Sequence, residues 1–161
     1  MKKIDISEEY FMGEAIKEAK KSYKNLDVPV GAVIVQNNKI IAKAHNLKER
    51  KRCAIYHAEI LAIEKACKKV KNFRLCECDI YITKEPCVMC LGAILSARIE
   101  NIYFGAKDKK FGISNIVDNV KFNHKCNIQA GVREKECEEM LSDFFKKIRG
   151  NKCKSRLKSK S

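Results

Sequence analysis

Pro86-Cys87-Val88-Met89-Cys90, read together with His57-Ala58-Glu59 upstream of it, decides how the rest of the chain is arranged. Two cysteines separated by two residues can present both sulfurs to one metal ion from the first turn of a helix, and His57 makes a third ligand. Structural zinc sites are usually closed by four protein ligands, whereas catalytic sites keep three and leave a position for water. Glu59, two residues from His57, adds a carboxylate able to take a proton from that water and hand it on. Cys87 and Cys90 alone would equally suit a redox pair or a structural half-site. The full order, His-x-Glu, a spacer long enough for a helix and a strand, then Pro-Cys-x-x-Cys, favours one zinc ion held by His57, Cys87 and Cys90.

The rest of the composition limits what this site can serve. The 161 residues suffice for one domain with a real core, and 45% are hydrophobic. No segment approaches the apolar length of a membrane span, and the N-terminus lacks a signal-peptide core. The expected compartment is the cytoplasm. Nine irregularly spaced cysteines read as reduced thiols and metal ligands and not as a disulfide frame. Net charge is +14, and Lys146, Lys147, Arg149, Lys152, Lys154, Arg156, Lys158 and Lys160 lie after Phe145 with no acid among them. Such a balance favours a polyanionic partner, although a lysine-rich end can also serve solubility alone. The expected organisation is one domain over residues 1–150 and a basic, flexible tail over 151–161.

Along the chain, Phe11, Met12, Ala15, Ile16, Ala19 and Tyr23 recur at helical spacing and predict a first helix from near Ser7 to about Lys24. The period then changes. Val28 to Val35 is nearly continuously apolar and suits a strand buried on both faces, turned by Asn37-Asn38 into a return strand Ile40–Ala44. Lys48-Glu49-Arg50-Lys51-Arg52 reads as an exposed loop. A second helix starts near His57, with His57 and Glu59 in its opening turn and Ile60, Leu61, Ile63 and Ala66 turned inward. Cys78–Thr83 is a third strand. Pro86 suits the first position of a third helix, which places Cys87 and Cys90 in its first turn, where the helix dipole favours thiolates. Ile102–Gly105 and Cys126–Ala130 follow as strands. A last helix from about Arg133 carries Cys137, Met140, Leu141, Phe144, Phe145 and Ile148 on its apolar face. The alternation predicts an α/β fold, a three-layer α/β/α sandwich on a mixed five-stranded sheet.

With these segments in view, the chain resembles the bacterial tRNA-specific adenosine deaminases, within the cytidine deaminase-like fold. His-x-Glu followed by Pro-Cys-x-x-Cys is the zinc signature of nucleobase deaminases generally. The resemblance to the tRNA branch rests on Val28-Pro29-Val30-Gly31-Ala32, Glu85-Pro86, Ser96-Ala97-Arg98-Ile99, Phe104-Gly105-Ala106-Lys107-Asp108 and Leu141-Ser142-Asp143-Phe144-Phe145. It implies zinc on His57, Cys87 and Cys90, Glu59 as the proton carrier, and contacts to the substrate from Asn46, the Ala58 backbone amide and Asp108. It also implies a tRNA anticodon loop as partner and a homodimer, to which apolar Val88, Met89 and Ile94 on the third helix lend some support. The chain departs from the family pattern at Lys84, where leucine is usual, and in the usually glycine-rich loop Lys109–Asn115.

Three functions fit these residues. The first is hydrolytic deamination of adenosine to inosine at the first anticodon position of tRNA. A deaminase of a free base or nucleoside would use the same zinc site but gives no reason for the positive charge. A zinc-stabilised nucleic-acid-binding module without catalysis leaves Glu59 unexplained. His45, His124 and the Cys76-x-Cys78 pair are expected to play no chemical part.

Overall fold

A computed structural model describes residues 6–119 and 121–158, with side chains from 7 to 152 apart from position 120. In chain order the elements are α1 (Ile6–Lys24), β1 (Gly31–Gln36), β2 (Lys39–His45), α2 (Lys48–Lys51), α3 (Ala58–Val70), β3 (Cys78–Lys84), α4 (Val88–Ser96), β4 (Asn101–Ala106), β5 (Asn127–Gln129) and α5 (Glu134–Lys158). The sheet runs β2-β1-β3-β4-β5. β1 pairs antiparallel with β2 and β3, while β3, β4 and β5 run parallel.

Alternation along β1 and β3, and along β4 as far as Phe104, explains the layers; Ala106 at the end of β4 breaks it. Ala32 and Ile34 of β1, Ile80 and Ile82 of β3, and Ile102 and Phe104 of β4 face one side, against Ala58, Ala62 and Ala66 of α3 and Leu91, Ile94 and Leu95 of α4. Val33, Val35, Tyr81 and Ala106 face the other, against Phe11, Met12, Ala15 and Ile16 of α1 and Cys137 and Leu141 of α5. A strand apolar at successive positions must be covered on both faces, so the reading of the Val28–Val35 segment leads directly to an α/β/α sandwich. The hairpin also follows the sequence. Asn37 and Asn38 take φ of 51° and 57°, the left-handed values a two-residue turn requires, and Gln36 pairs with Lys39 across it.

Several expectations are revised. The charged run Lys48–Lys51 is a single helical turn, not a loop, closed by Arg52 at φ 51°. In α3 the fully inward stripe is Ala58, Ala62 and Ala66, with Leu61 and Ile63 packed at its margin, because the sheet comes too close for larger side chains at the centre. Pro86 is not the first residue of α4; Cys87 is the N-cap and Pro86 precedes it. Phe144 is core, but Phe145 is 43% exposed. Beyond Gly150 the basic segment continues α5 to Lys158.

Gly31 sets the distance between the outer layer and the sheet. A Cβ there would overlap the Ala15 carbonyl oxygen and crowd the Ala19 amide, so α1 lies backbone to backbone on β1. Overpacking of this kind costs about 1–3 kcal/mol. Gly31→Ala should therefore lower the melting temperature by about 2–12 °C in a calorimetric scan, using a shift of about 2–4 °C per kcal/mol for a domain of this size. A variant that melts with the parent protein would contradict the close packing.

Candidate active site

The two halves of the site stand at the starts of two helices. His57 is the N-cap of α3 and Cys87 the N-cap of α4, both in extended backbone, and the Leu61 and Leu91 amides close the first turns onto their carbonyls at 3.1 and 2.9 Å. His57 makes no side-chain capping bond to α3, and Cys87 engages α4 only through Cys90. Each is thus released to point at the other. His57 Nδ1 lies 3.8 Å from Cys87 Sγ and 3.6 Å from Cys90 Sγ, and ligand atoms of the three residues lie within 4.8 Å of one another. They are the one such cluster of three or more His, Cys, Asp or Glu found among the described residues.

Protonation within the cluster is strongly divided. The hydrogen bond from the Cys90 thiol, with help from the His57 ring, pulls Cys87 down to about 3, against burial. Cys90 moves the opposite way because that same bond and its burial favour the thiol. The bond to Cys87 raises His57, against desolvation. Two sulfurs and an imidazole competing for protons form a donor set that a cation would relieve.

Glu59 completes the picture. It is 4% exposed in the first turn of α3, and Oε2 has no hydrogen-bond partner. Desolvation by burial is the largest influence on it and raises its carboxyl above the ordinary carboxylate range. An unsatisfied buried polar group costs about 1–3 kcal/mol, and more when charged. This orphan oxygen and the donor set fit a bound zinc. For zinc–sulfur and zinc–nitrogen bonds of about 2.3 and 2.1 Å, a tetrahedron puts sulfur and nitrogen roughly 3.6 Å apart, close to the separations seen here.

A cavity of about 370 Å³ opens onto this cluster, within the usual size for a small-molecule site. Val28, Val30, Asn46, Lys48, His57, Ala58, Glu59, Lys84, Glu85, Cys87, Phe111 and Phe145 line it. Asn46 is firmly placed: its backbone bonds the Val30 carbonyl and the Ser22 hydroxyl, and its side chain contacts the Val28 carbonyl and the Lys48 amide at 3.3 Å each. Ala58 is the first residue of α3, one of the positions whose amide a helix leaves without an internal partner. Asp108 does not line the cavity. Lys84 Nζ and the amides of Lys110 and Phe111 engage its carboxylate, and against burial they hold it below its ordinary value.

Two buried carboxylates escaped the sequence reading. Asp27, fully buried, accepts the Glu49 and Arg50 amides at 2.7 and 3.1 Å and so caps α2 from across the loop that leads to His57. Glu85, 3% exposed, accepts the amides of Asp108 and Ser114 at 2.8 Å each, together with the Ser114 hydroxyl. Their partners are more than twenty residues away in the chain, so no local pattern could reveal them. His45 pairs with Glu18 at 3.0 Å and His124 with the Ile99 carbonyl at 2.8 Å, which gives both rings structural partners. Cys76 is exposed and Cys78 buried: residues two apart on a strand would share a face, and these two separate because Cys76 lies before β3, across Glu77 at φ 59°.

Fold and site together define a deaminase: a mixed sheet carrying two helix starts that bring histidine, two cysteines and an orphaned carboxylate to one cavity. The chain belongs to the MafB19-like deaminase family, whose pattern matches residues 6–149, and it is similar along most of its length to tRNA-specific adenosine deaminases. The one from Bacillus subtilis (strain 168) is 47% identical over 90% of this chain and 92% of its own length. That of Aquifex aeolicus (strain VF5) is 43% identical over 91% and 99%. A solved structure from studies of A-to-I editing by tRNA:A34 deaminases at the wobble position superposes with a TM-score of 0.78 at 35% identity, covering 81% of this chain and 98% of that one.

The rim loop depends on Glu85. Glu85→Gln keeps the volume but turns an amide donor toward groups that need an acceptor, and hydrogen bonds to charged groups contribute about 1.5–3 kcal/mol. Amide exchange at residues 111–114 should accelerate by about 10- to 100-fold while metal content stays the same. Unchanged exchange would remove Glu85 as the tether.

Proposed function

We propose that this protein hydrolyses adenosine to inosine at the wobble position of tRNA, releasing ammonia, with one zinc ion held by His57, Cys87 and Cys90. The observation that carries this reading is the orphaned, buried Glu59 Oε2 beside that donor set, in a chain of this family. A bound zinc would supply acidity, making hydroxide available near neutral pH.

The chain's own residues do the rest. Glu59 Oε2 takes one proton of the attacking water and delivers it to a ring nitrogen of adenine as C6 is attacked; it then takes the remaining proton from the new C6 hydroxyl and passes it to the departing amine, so that ammonia leaves as the C6 carbonyl forms. Its raised pKa suits both roles, because a carboxyl poised nearer the working pH gives and takes a proton with less penalty. Asn46 and the Ala58 amide orient the base, and Asp108 acts on the substrate side from the rim loop it caps. The apolar walls Val28 and Val30 exclude water. The target base must leave its stack to enter, which costs less in a loop than in a duplex.

The +14 charge supports a polyanionic substrate. We further assign residues 1–150 to one catalytic domain and 151–161 to a basic C-terminal tail, and place the protein in the cytoplasm. No helix among the described residues is long and apolar enough to cross a membrane. A homodimer accounts for Val88, 56% exposed on α4, and for half-buried Met89; Ile94, buried within its own subunit, gives no support for it.

Inosine formation on an anticodon stem-loop, compared with ammonia release from free adenosine, adenine and guanine, tests the reading. Activity should be confined to the RNA. Glu59→Gln should retain zinc and lose about 10²- to 10⁴-fold in kcat, whereas Cys87→Ala should lose zinc. Full zinc in Cys87→Ala, near-normal turnover in Glu59→Gln, or preference for a free base would each overturn it.

A further inference from the structure

Phe111 lines the cavity that holds Glu59, yet its ring is 73% exposed. The exposure does not come from a loose loop. Asp108 Oδ1 accepts the Lys110 and Phe111 amides at 3.0 and 3.1 Å, and Glu85 holds the Asp108 and Ser114 amides on either side. Gly112 is buried so tightly that a Cβ would overlap the Glu85 carboxyl and the Asp108 carbonyl, and Ile113 beyond it is fully buried. An anchored loop therefore holds a large apolar side chain in solvent at the mouth of the site. Lys107, Lys109 and Lys110, all exposed, precede it on the same loop, and Lys84, paired with Asp108, lines the same cavity.

An aromatic face among lysines is the surface that binds unpaired nucleotides, the ring stacking on a base and the ammonium groups meeting the backbone. We propose that Phe111 is a stacking platform for the base next to the adenosine being deaminated, with Lys109 and Lys110 on that nucleotide's phosphate. The proposal rests on the RNA reading above and adds a second nucleotide subsite to it. A free base or nucleoside would leave this platform unused, so the rim loop is a device for choosing RNA.

The test uses full-length, zinc-loaded protein and an anticodon stem-loop. Phe111→Ala, at an exposed position, should keep its zinc content and melting temperature while KM rises about 5- to 150-fold, the range for losing one base–aromatic stack. The value of kcat should hold, and Phe111→Trp should restore KM. Two further RNAs carry an abasic residue immediately 5′ or 3′ of the target. One of them should raise the parent protein's KM as much as Phe111→Ala does and should add nothing further in that variant. If the parent protein makes inosine on the stem-loop but Phe111→Ala leaves KM unchanged, or both abasic RNAs lose affinity additively with it, the platform is wrong and the function stands. If the parent protein makes no inosine on the stem-loop, both fall together.

Discussion

A carboxylate oxygen buried without a partner is the constraint on which the rest of this structure depends. Glu59 Oε2 sits among the helix starts of α3 and α4 beside three metal-donor atoms, in a position that water would otherwise satisfy. Leaving it unpaired costs about 1–3 kcal/mol, and a domain of this size keeps only about 5–15 kcal/mol of net stability. Unsatisfied groups of this kind persist where chemistry needs them and where the surroundings fix them firmly.

What fixes Glu59 is the two-sided sheet. β1 and β3 are buried on both faces, which forces a layer of helices on each side. The small residues Ala58, Ala62 and Ala66 let α3 lie close against the strands. α4 begins four residues after β3 ends, so the strand delivers Cys87 and Cys90 to the same place. On the rim, buried Asp27 and Glu85 do for the loops what backbone pairing does for the sheet: each collects amides from a distant segment and holds it at the cavity.

The legible part of this architecture was its periodic part. Alternation in β1, β3 and β4, helical spacing in α1 and α5, and the Asn37-Asn38 turn all follow from local rules and gave the sandwich with small errors at element ends. The convergence of His57, Cys87 and Cys90 near Glu59 was legible because a metal-binding pattern sets particular residue types at particular spacings. Asp27, Glu85 and the fixed, exposed ring of Phe111 were not, because their roles arise from contacts across more than twenty residues or from a failure to be buried. Pro86 illustrates a finer limit: its motif marks the helix start correctly, but only the backbone shows that Cys87 takes the cap.

X-ray absorption at the zinc K-edge of the purified protein measures the central claim most directly, since it counts the donors around the metal. The account predicts one zinc per chain with two sulfur neighbours at about 2.3 Å, one nitrogen at about 2.0–2.1 Å and one further light-atom donor in the open position. A four-sulfur shell, a shell with two protein nitrogens, or protein isolated active without zinc would contradict it.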